Sequence, residues 1–179
     1  MKYLKICLFT LLIVACSKDD ATSNLSLDVQ LVGKWTMTNY YDNTFFVEYQ
    51  NGVIEKIVPE ETNYAIEFTD NPKEIKTTGF LRYSREEYEI VDGEKVITGP
   101  VGTNFMDGDD EEGYHTGTWK IENGKLITTG FNQIGPDEFE ELSIISTIQL
   151  KGNVLTLTLD NAQFGSHLTG EIIIEYKRQ

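Results

Sequence analysis

The stretch "STIQLKGNVLTLTLD" restricts this chain more than any other. From Leu155 to Leu159, leucine and threonine alternate without a break. Successive side chains of a strand point to opposite faces, so a period of two gives one apolar and one polar face. Just before this run stands Gly152-Asn153, a turn dipeptide, and before that another alternating run. The pattern is a hairpin, and it recurs. "GTWKIENGKLITTG" is expected to turn at Asn123-Gly124, "YEIVDGEKVIT" at Asp92-Gly93 and "FFVEYQNGVIEKIV" at Asn51-Gly52. Asn-Gly and Asp-Gly tolerate the two positive φ angles of a type I′ turn. "NYAIEFTD", "KEIKTTGFLRYS" and "TGEIIIEYKRQ" add single strands, and no long segment has helical periodicity.

About 8–10 strands joined mostly by tight turns must run antiparallel to their neighbours. Such a meander has to hide its edges, and closure on itself does so. The predicted fold is therefore all-β, an antiparallel up-and-down barrel over residues 30–179, with a β-sandwich as the alternative. Alternation nominates the inward set: Trp35 and Met37; Tyr64, Ile66 and Phe68; Leu155, Leu157 and Leu159; Ile172, Ile174 and Tyr176. In a closed meander the first strand, near residues 31–40, pairs with the last, near 170–177.

The N-terminus carries an address. Lys2 and Lys5 precede an apolar run from Ile6 to Val14. That run is far shorter than the roughly 20 residues needed to span a bilayer. A basic start, a short apolar stretch and small Ala15 fit a signal peptide over residues 1–15. Cys16 follows, and the one other cysteine, Cys7, lies inside the leader. Once the leader is removed, Cys16 has no intramolecular disulfide partner. "Ile13-Val14-Ala15-Cys16" resembles the bacterial lipobox, which implies cleavage before Cys16 and acylation of that residue. "Ser17-Lys18-Asp19-Asp20" resembles the acidic export signal that sends some lipoproteins to the outer membrane and its outer face. Residues 16–29 are accordingly expected to be the lipidated Cys and a flexible, polar tether. Loss of residues 1–15 takes the net charge from −14 to −16. A chain so acidic is repelled by anionic lipid, so the expected membrane contact is hydrophobic, through acyl chains.

The opening of the domain, "LVGKWTMTNYY", is similar to the G-x-W that begins the barrel in lipocalins, here Gly33, Lys34 and Trp35. That resemblance implies an antiparallel barrel with an apolar interior, often holding one small hydrophobic ligand. It also implies that Trp35 closes the barrel floor against a basic residue from the last strand, for which Arg178 stands in the right place. A leader of the lipobox kind followed by such a barrel resembles the bacterial lipocalin-like lipoproteins.

Composition removes other classes. The net charge of −14 leaves no basic patch for nucleic acid. The two histidines, His115 and His167, have no neighbouring His and no free Cys, so zinc sites of the Cys/His kind are not expected. His167 reads as a loop histidine rather than a haem ligand. No G-x-S-x-G, P-loop or G-x-G-x-x-G occurs. "DGDDEEGYH" offers alternating Asp107, Asp109 and Glu111, but its glycine and distal acid are misplaced for a calcium loop. Asp107, Asp109, Asp110, Glu111 and Glu112 are expected to form a solvated loop in a long polar insertion, Gly99 to Gly113. No metal, no cofactor and no catalytic residue is predicted. Two functional readings remain open. One is a lipid-anchored barrel binding a small apolar ligand or apolar segment, its ligand residues unknown. The other is a filled-core module whose acidic loops meet a protein partner.

Overall fold

The computed structural model describes residues 25–109, 113–135 and 138–179. The leader, Cys16 and the stretch Ser17 to Asp20 lie outside the described residues, as do Asp110, Glu111 and Glu112. A short helix α1 (Leu27–Leu31) is followed by β1 (Gly33–Phe46), β2 (Asn51–Ile57), β3 (Ala65–Phe68), β4 (Glu74–Thr78) and β5 (Phe80–Val91). Then come β6 (Glu94–Ile97), β7 (Gly102–Asp107), β8 (Gly117–Glu122), β9 (Lys125–Gly135) and β10 (Glu138–Lys151). The chain ends with β11 (Val154–Asp160), β12 (Leu168–Thr169) and β13 (Glu171–Arg178).

Eight of these strands close an antiparallel barrel in the order β1, β3, β4, β8, β9, β10, β11, β13 and back to β1. Closure is the pairing of the first strand with the last: Trp35 faces Arg178, Met37 faces Tyr176, Tyr40 faces Ile174 and Asp42 faces Ile172. The alternating residues supply the filling. Leu155, Leu157 and Leu159 are all buried, as are Ile172, Ile174, Tyr176, Tyr64, Ile66 and Phe68, and they form one contiguous core. Three turns sit on their dipeptides. Asp92-Gly93 and Asn123-Gly124 both carry two positive φ angles, and Gly152 carries one.

What alternation does not reveal is that β1 changes partners along its length within one sheet. Its first residues, Gly33–Thr36, pair with β3, and its last, Tyr41–Phe46, pair with β2. A register shift between Met37 and Asn39 bends the strand where the change occurs. From β2 the sheet continues to β5 and then to β6 and β7, which share the far edge of β5. These four strands form an arm at the end of β1 farthest from Gly33.

Three sequence readings are corrected. Asn51-Gly52 is not a turn: Phe46 already faces Asn51, so the loop is Val47–Gln50, with Gln50 at φ 52°. Gly52 stands inside β2 because a Cβ there would lie 2.6 Å from the Tyr88 ring and 2.7 Å from Thr44 O. The glycine lets Tyr88 cross the strand and stack on Phe45 at 6.3 Å. Asp107, expected in a solvated loop, instead ends β7, which pairs with β5 from Gly102 to Asp107. The stretch read as tether ends early, because α1 starts at Leu27 and buries Leu31.

Candidate functional site

The barrel has two unlike ends. The floor lies where β1 begins. Trp35 is completely buried there and donates its Nε1–H to Leu31 O at 2.7 Å. The Arg178 guanidinium lies 4.2 Å from the centre of the indole ring. It also donates to Val32 O at 3.1 Å and to Gln30 O. Gly33, at φ 123°, lets the chain turn into β1 beneath that guanidinium, with room to 3.4 Å for a Cβ. The structure thus brings Gly33, Trp35 and Arg178 together. A cation over a desolvated indole contributes about 0.5–2 kcal/mol.

At the other end, polar groups appear at inward-facing positions. Asp42 and Glu55 are direct cross-strand partners on β1 and β2, and both are buried. Tyr40 donates to Glu55 at 2.8 Å, and Arg85 of β5 pairs with the same carboxylate at 2.7 Å. Arg85 also reaches Glu87 at 3.2 Å. Asp42 accepts from Thr44 at 2.7 Å, and Asn161 donates to Thr44 at 2.8 Å. Burial raises the Asp42 carboxyl above its ordinary pKa; the Thr44 hydrogen bond opposes this, and the Glu55 charge adds to it. Arg85 is partly exposed, so water screens the pair, and removing it should cost less than breaking a fully buried one.

Beside this network the aromatic rings of Tyr83, Tyr40, Tyr114 and Phe164 form a chain, with successive centroids 5.6, 6.4 and 6.3 Å apart. Burial pushes the Tyr40 and Tyr114 hydroxyls far above the range in which they would ionise. Next to Tyr114 opens a cavity of about 120 Å³, lined by Thr116, Thr128, Leu142 and Ile144 with Gly113 and Gly130. On the same inner wall lies His115, whose Nε2 is 2.8 Å from Ser146 Oγ. Burial lowers its pKa to about 3, so the ring is neutral.

The remaining nominated residues fall elsewhere. Asp107 ends β7, and Asp109 accepts from Gly79 N at 2.9 Å, so this part of the acidic run is tied to the β4–β5 turn. Among the described residues, no three His, Cys, Asp or Glu side chains gather in a way that could hold a metal ion. His167 is exposed in the loop before β12. The mouth network was missed because each member looks ordinary alone. A signal was present: Asp42 follows Tyr40 and Glu55 follows Val53 by two residues, each in phase with a buried neighbour. Ser146 is likewise in phase with Ile144 and Ile148, whereas its contact with His115 spans 31 residues and has no local trace. The chain matches no family model, no curated protein and no solved structure.

Proposed function

We propose that this chain is a lipid-anchored binding protein of the bacterial cell envelope, in which the closed barrel is the scaffold and its mouth is the binding face. The observation that supports this most directly is the course of β1. It starts at the floor, where the chain arrives from the tether, and runs past Tyr40, which stacks on Tyr114 at the cavity, to the Asp42–Glu55 pair and the arm. A strand of 14 residues rising about 3.3 Å each is long enough to hold that end well clear of an anchoring surface. In this reading Cys16 carries the acyl chains, Ser17 to Asp20 direct export to the outer membrane, and the protein has no catalytic role.

The ligand is small, or enters by one end only. Trp35, Tyr40, Phe68 and Tyr176 fill the barrel from the floor towards the mouth with fully buried rings, which leaves little of its axis for a long apolar guest. A second reading draws on the arm. Val96, Ile97, Val101 and Phe105 are exposed along the β6–β7 side, which suits a protein partner docking there.

Two measurements test the proposal. Metabolic labelling with a clickable fatty acid should mark the wild-type chain and not the Cys16→Ser variant; label retained on the variant refutes the anchor. Native mass spectrometry of protein purified without added ligand should show a bound mass that is lost when the mouth is filled by Leu142→Trp. A bound mass unaffected by that change moves the site away from the mouth.

A further inference from the structure

A second cavity, of about 210 Å³, opens on the arm and shares no lining residue with the one beside Tyr114. Its walls follow from strand register. Asn51 of β2 faces Phe46 of β1 on one side and Glu89 of β5 on the other, and Val53 faces Glu87. Directly opposed residues share a face of a sheet, so these side chains stand together. Two residues back along β5, Arg85 joins them opposite the buried Glu55. Thr98, whose N–H donates to Glu87 O at 3.0 Å, borders the cavity where β6 ends. Val53 is buried and Phe46 half-buried, which gives the space an apolar patch. The polar side is held in place. Arg85 donates through Nη1 to Glu55 at 2.7 Å and through Nε to Glu87 at 3.2 Å. A guanidinium carries five N–H donors in a rigid fork, and those bonds use two of them. Its orientation is therefore set before any guest arrives.

We propose that this cavity binds one ring of a neutral polyhydroxylated ligand, a saccharide unit, with Arg85 and Glu87 as its paired hydrogen-bonding groups. Each feature of the lining narrows the class. A guanidinium only donates and a carboxylate only accepts, and here the two lie side by side. Neighbouring hydroxyls on a ring match that pair, because each hydroxyl both donates and accepts. The Asn51 amide and the Thr98 hydroxyl add donors and acceptors around them. The C–H face of a sugar ring is apolar and suits Val53 and Phe46. Charged guests gain less. The Arg85 charge is already met by Glu55 and Glu87, so an anion finds no free counter-charge in it. Glu89 is exposed at the rim, where water and salt screen its pull on a cation. The volume lies below the roughly 300–1,000 Å³ of pockets for drug-sized ligands, which suits a single ring. Glu87 and Glu89 are both exposed, so further units can leave the cavity on their side. A free sugar and one unit of a glycan share this chemistry.

The test uses the full chain and NMR titration, following the Arg85 Nε–H and the Thr98 amide. The probes are the methyl glycosides of glucose, galactose and mannose, with cyclohexanol, butylammonium and butyrate as controls. At least one glycoside is expected to shift both signals saturably and to bind more tightly than any control. Glu87→Gln keeps the shape of the site and should weaken that glycoside about ten-fold or more, the ratio one hydrogen bond to a charged group supplies. Thr98→Trp, which fills the cavity from an exposed wall, should abolish binding while leaving the Trp35 indole N–H signal in place. Maltose, lactose and mannobiose then separate the sources: retained affinity marks a glycan unit, and lost affinity a free sugar. Cyclohexanol binding as tightly as the glycosides would show an apolar patch without polar selection and overturn the proposal. Preference for butylammonium, erased by added salt, would reduce the site to carboxylates that gather cations and overturn it equally. So would the absence of saturation by every glycoside. None of these results alters the mass-spectrometric test of the mouth by Leu142→Trp, so failure here and failure there are told apart.

Discussion

Two tryptophan corners of the barrel are built alike and hold different things. In the first, Gly33 at φ 123° precedes Trp35, whose indole N–H donates to Leu31 O and whose face carries Arg178 at 4.2 Å. In the second, Gly117 at φ 71° precedes Trp119, whose indole N–H donates to Thr69 O at 2.9 Å and whose face carries Lys73 at 4.7 Å. Both are Gly-x-Trp at a strand start. Their cations differ in support. Arg178 is held by backbone carbonyls and belongs to the closing strand, whereas Lys73 is half exposed and pairs with Asp28 at 3.1 Å. Their seams differ too. Trp35 secures β1 to β13 over a long register, while Trp119 stands by β4 and β8, which pair only at Glu74–Thr118 and Ile75–Gly117. The same device serves the closure seam and the shortest one, so its loss should have unequal consequences.

The strongest way to break this comparison is to remove the rings. Trp35→Ala is expected to cost about 3–5 kcal/mol of global stability by denaturant titration. Trp119→Ala should fall at the lower end of that range and act first locally, as faster amide exchange in β4 and β8. A greater global loss from Trp119 would reverse the ranking of the seams. The glycines come next. Alanine at Gly117 would put a Cβ 2.2 Å from Thr129 O, a backbone atom, in a left-handed conformation. At Gly33 the nearest atom is the Arg178 guanidinium at 3.4 Å, an ordinary contact distance. Gly117→Ala should therefore cost about 2–3 kcal/mol and Gly33→Ala about 1–2. Equal losses would mean that φ alone governs both sites.

The cations sharpen the comparison further. Arg178→Met keeps a long apolar stem but removes the guanidinium and its two carbonyl contacts, an expected loss of about 1–2 kcal/mol. Lys73→Met removes a half-exposed ammonium and an exposed ion pair, an expected loss below about 1 kcal/mol. Thermal melts of the two variants at equal salt read the difference. Added salt should narrow it little, since the Arg178 contacts are to neutral carbonyls.

How much of this the sequence displays depends on whether the signal is local. Leu155, Leu157 and Leu159 announce their strand because period two is written in five residues. The closure of β1 on β13 follows from topology once the strands are counted, and Gly33, Trp35 and Arg178 mark it. The second corner is as legible as the first, since Gly117-Thr118-Trp119 repeats the same spacing, yet its cation comes from Lys73, 46 positions earlier, and no local pattern links them. Asn51-Gly52 misleads for a physical reason: glycine serves both tight turns and close approach of an aromatic ring, and Tyr88, far along the chain, decides between them. The arm is hidden in a similar way. Nothing in "GKWTMTNYYDNTFF" says that one strand will change partners half-way, because the register shift between Met37 and Asn39 reflects the strands that flank each half.

The smallest expected effect separates the corners by their chemistry in acid. Asp28 has its carboxyl lowered to about 2, by a hydrogen bond from Ser26 first and then by Lys73. A carboxyl held below its unfolded value stabilises the fold above that value, near 3.8, and loses this contribution as pH falls toward 2. The Trp119 corner should therefore weaken in that window. The Trp35 corner contains a guanidinium on carbonyls and has nothing to titrate there. A larger background overlies the difference. His115, lowered to about 3 by burial, is protonated in the unfolded chain from about pH 6.5 downward while the folded ring stays neutral. Stability should fall from that point at up to about 1.4 kcal/mol per pH unit. His115→Gln removes this slope without adding a charge. In that background, melts of the Asp28→Asn and Arg178→Met variants between pH 5 and pH 2 isolate the two corners. The deficit of Asp28→Asn should shrink to nothing as the pH falls, because its parent loses the same contribution, while that of Arg178→Met should stay constant. A constant Asp28→Asn deficit would show that the Lys73 corner does not depend on the carboxylate charge, and the two tryptophans would then be equivalent in acid.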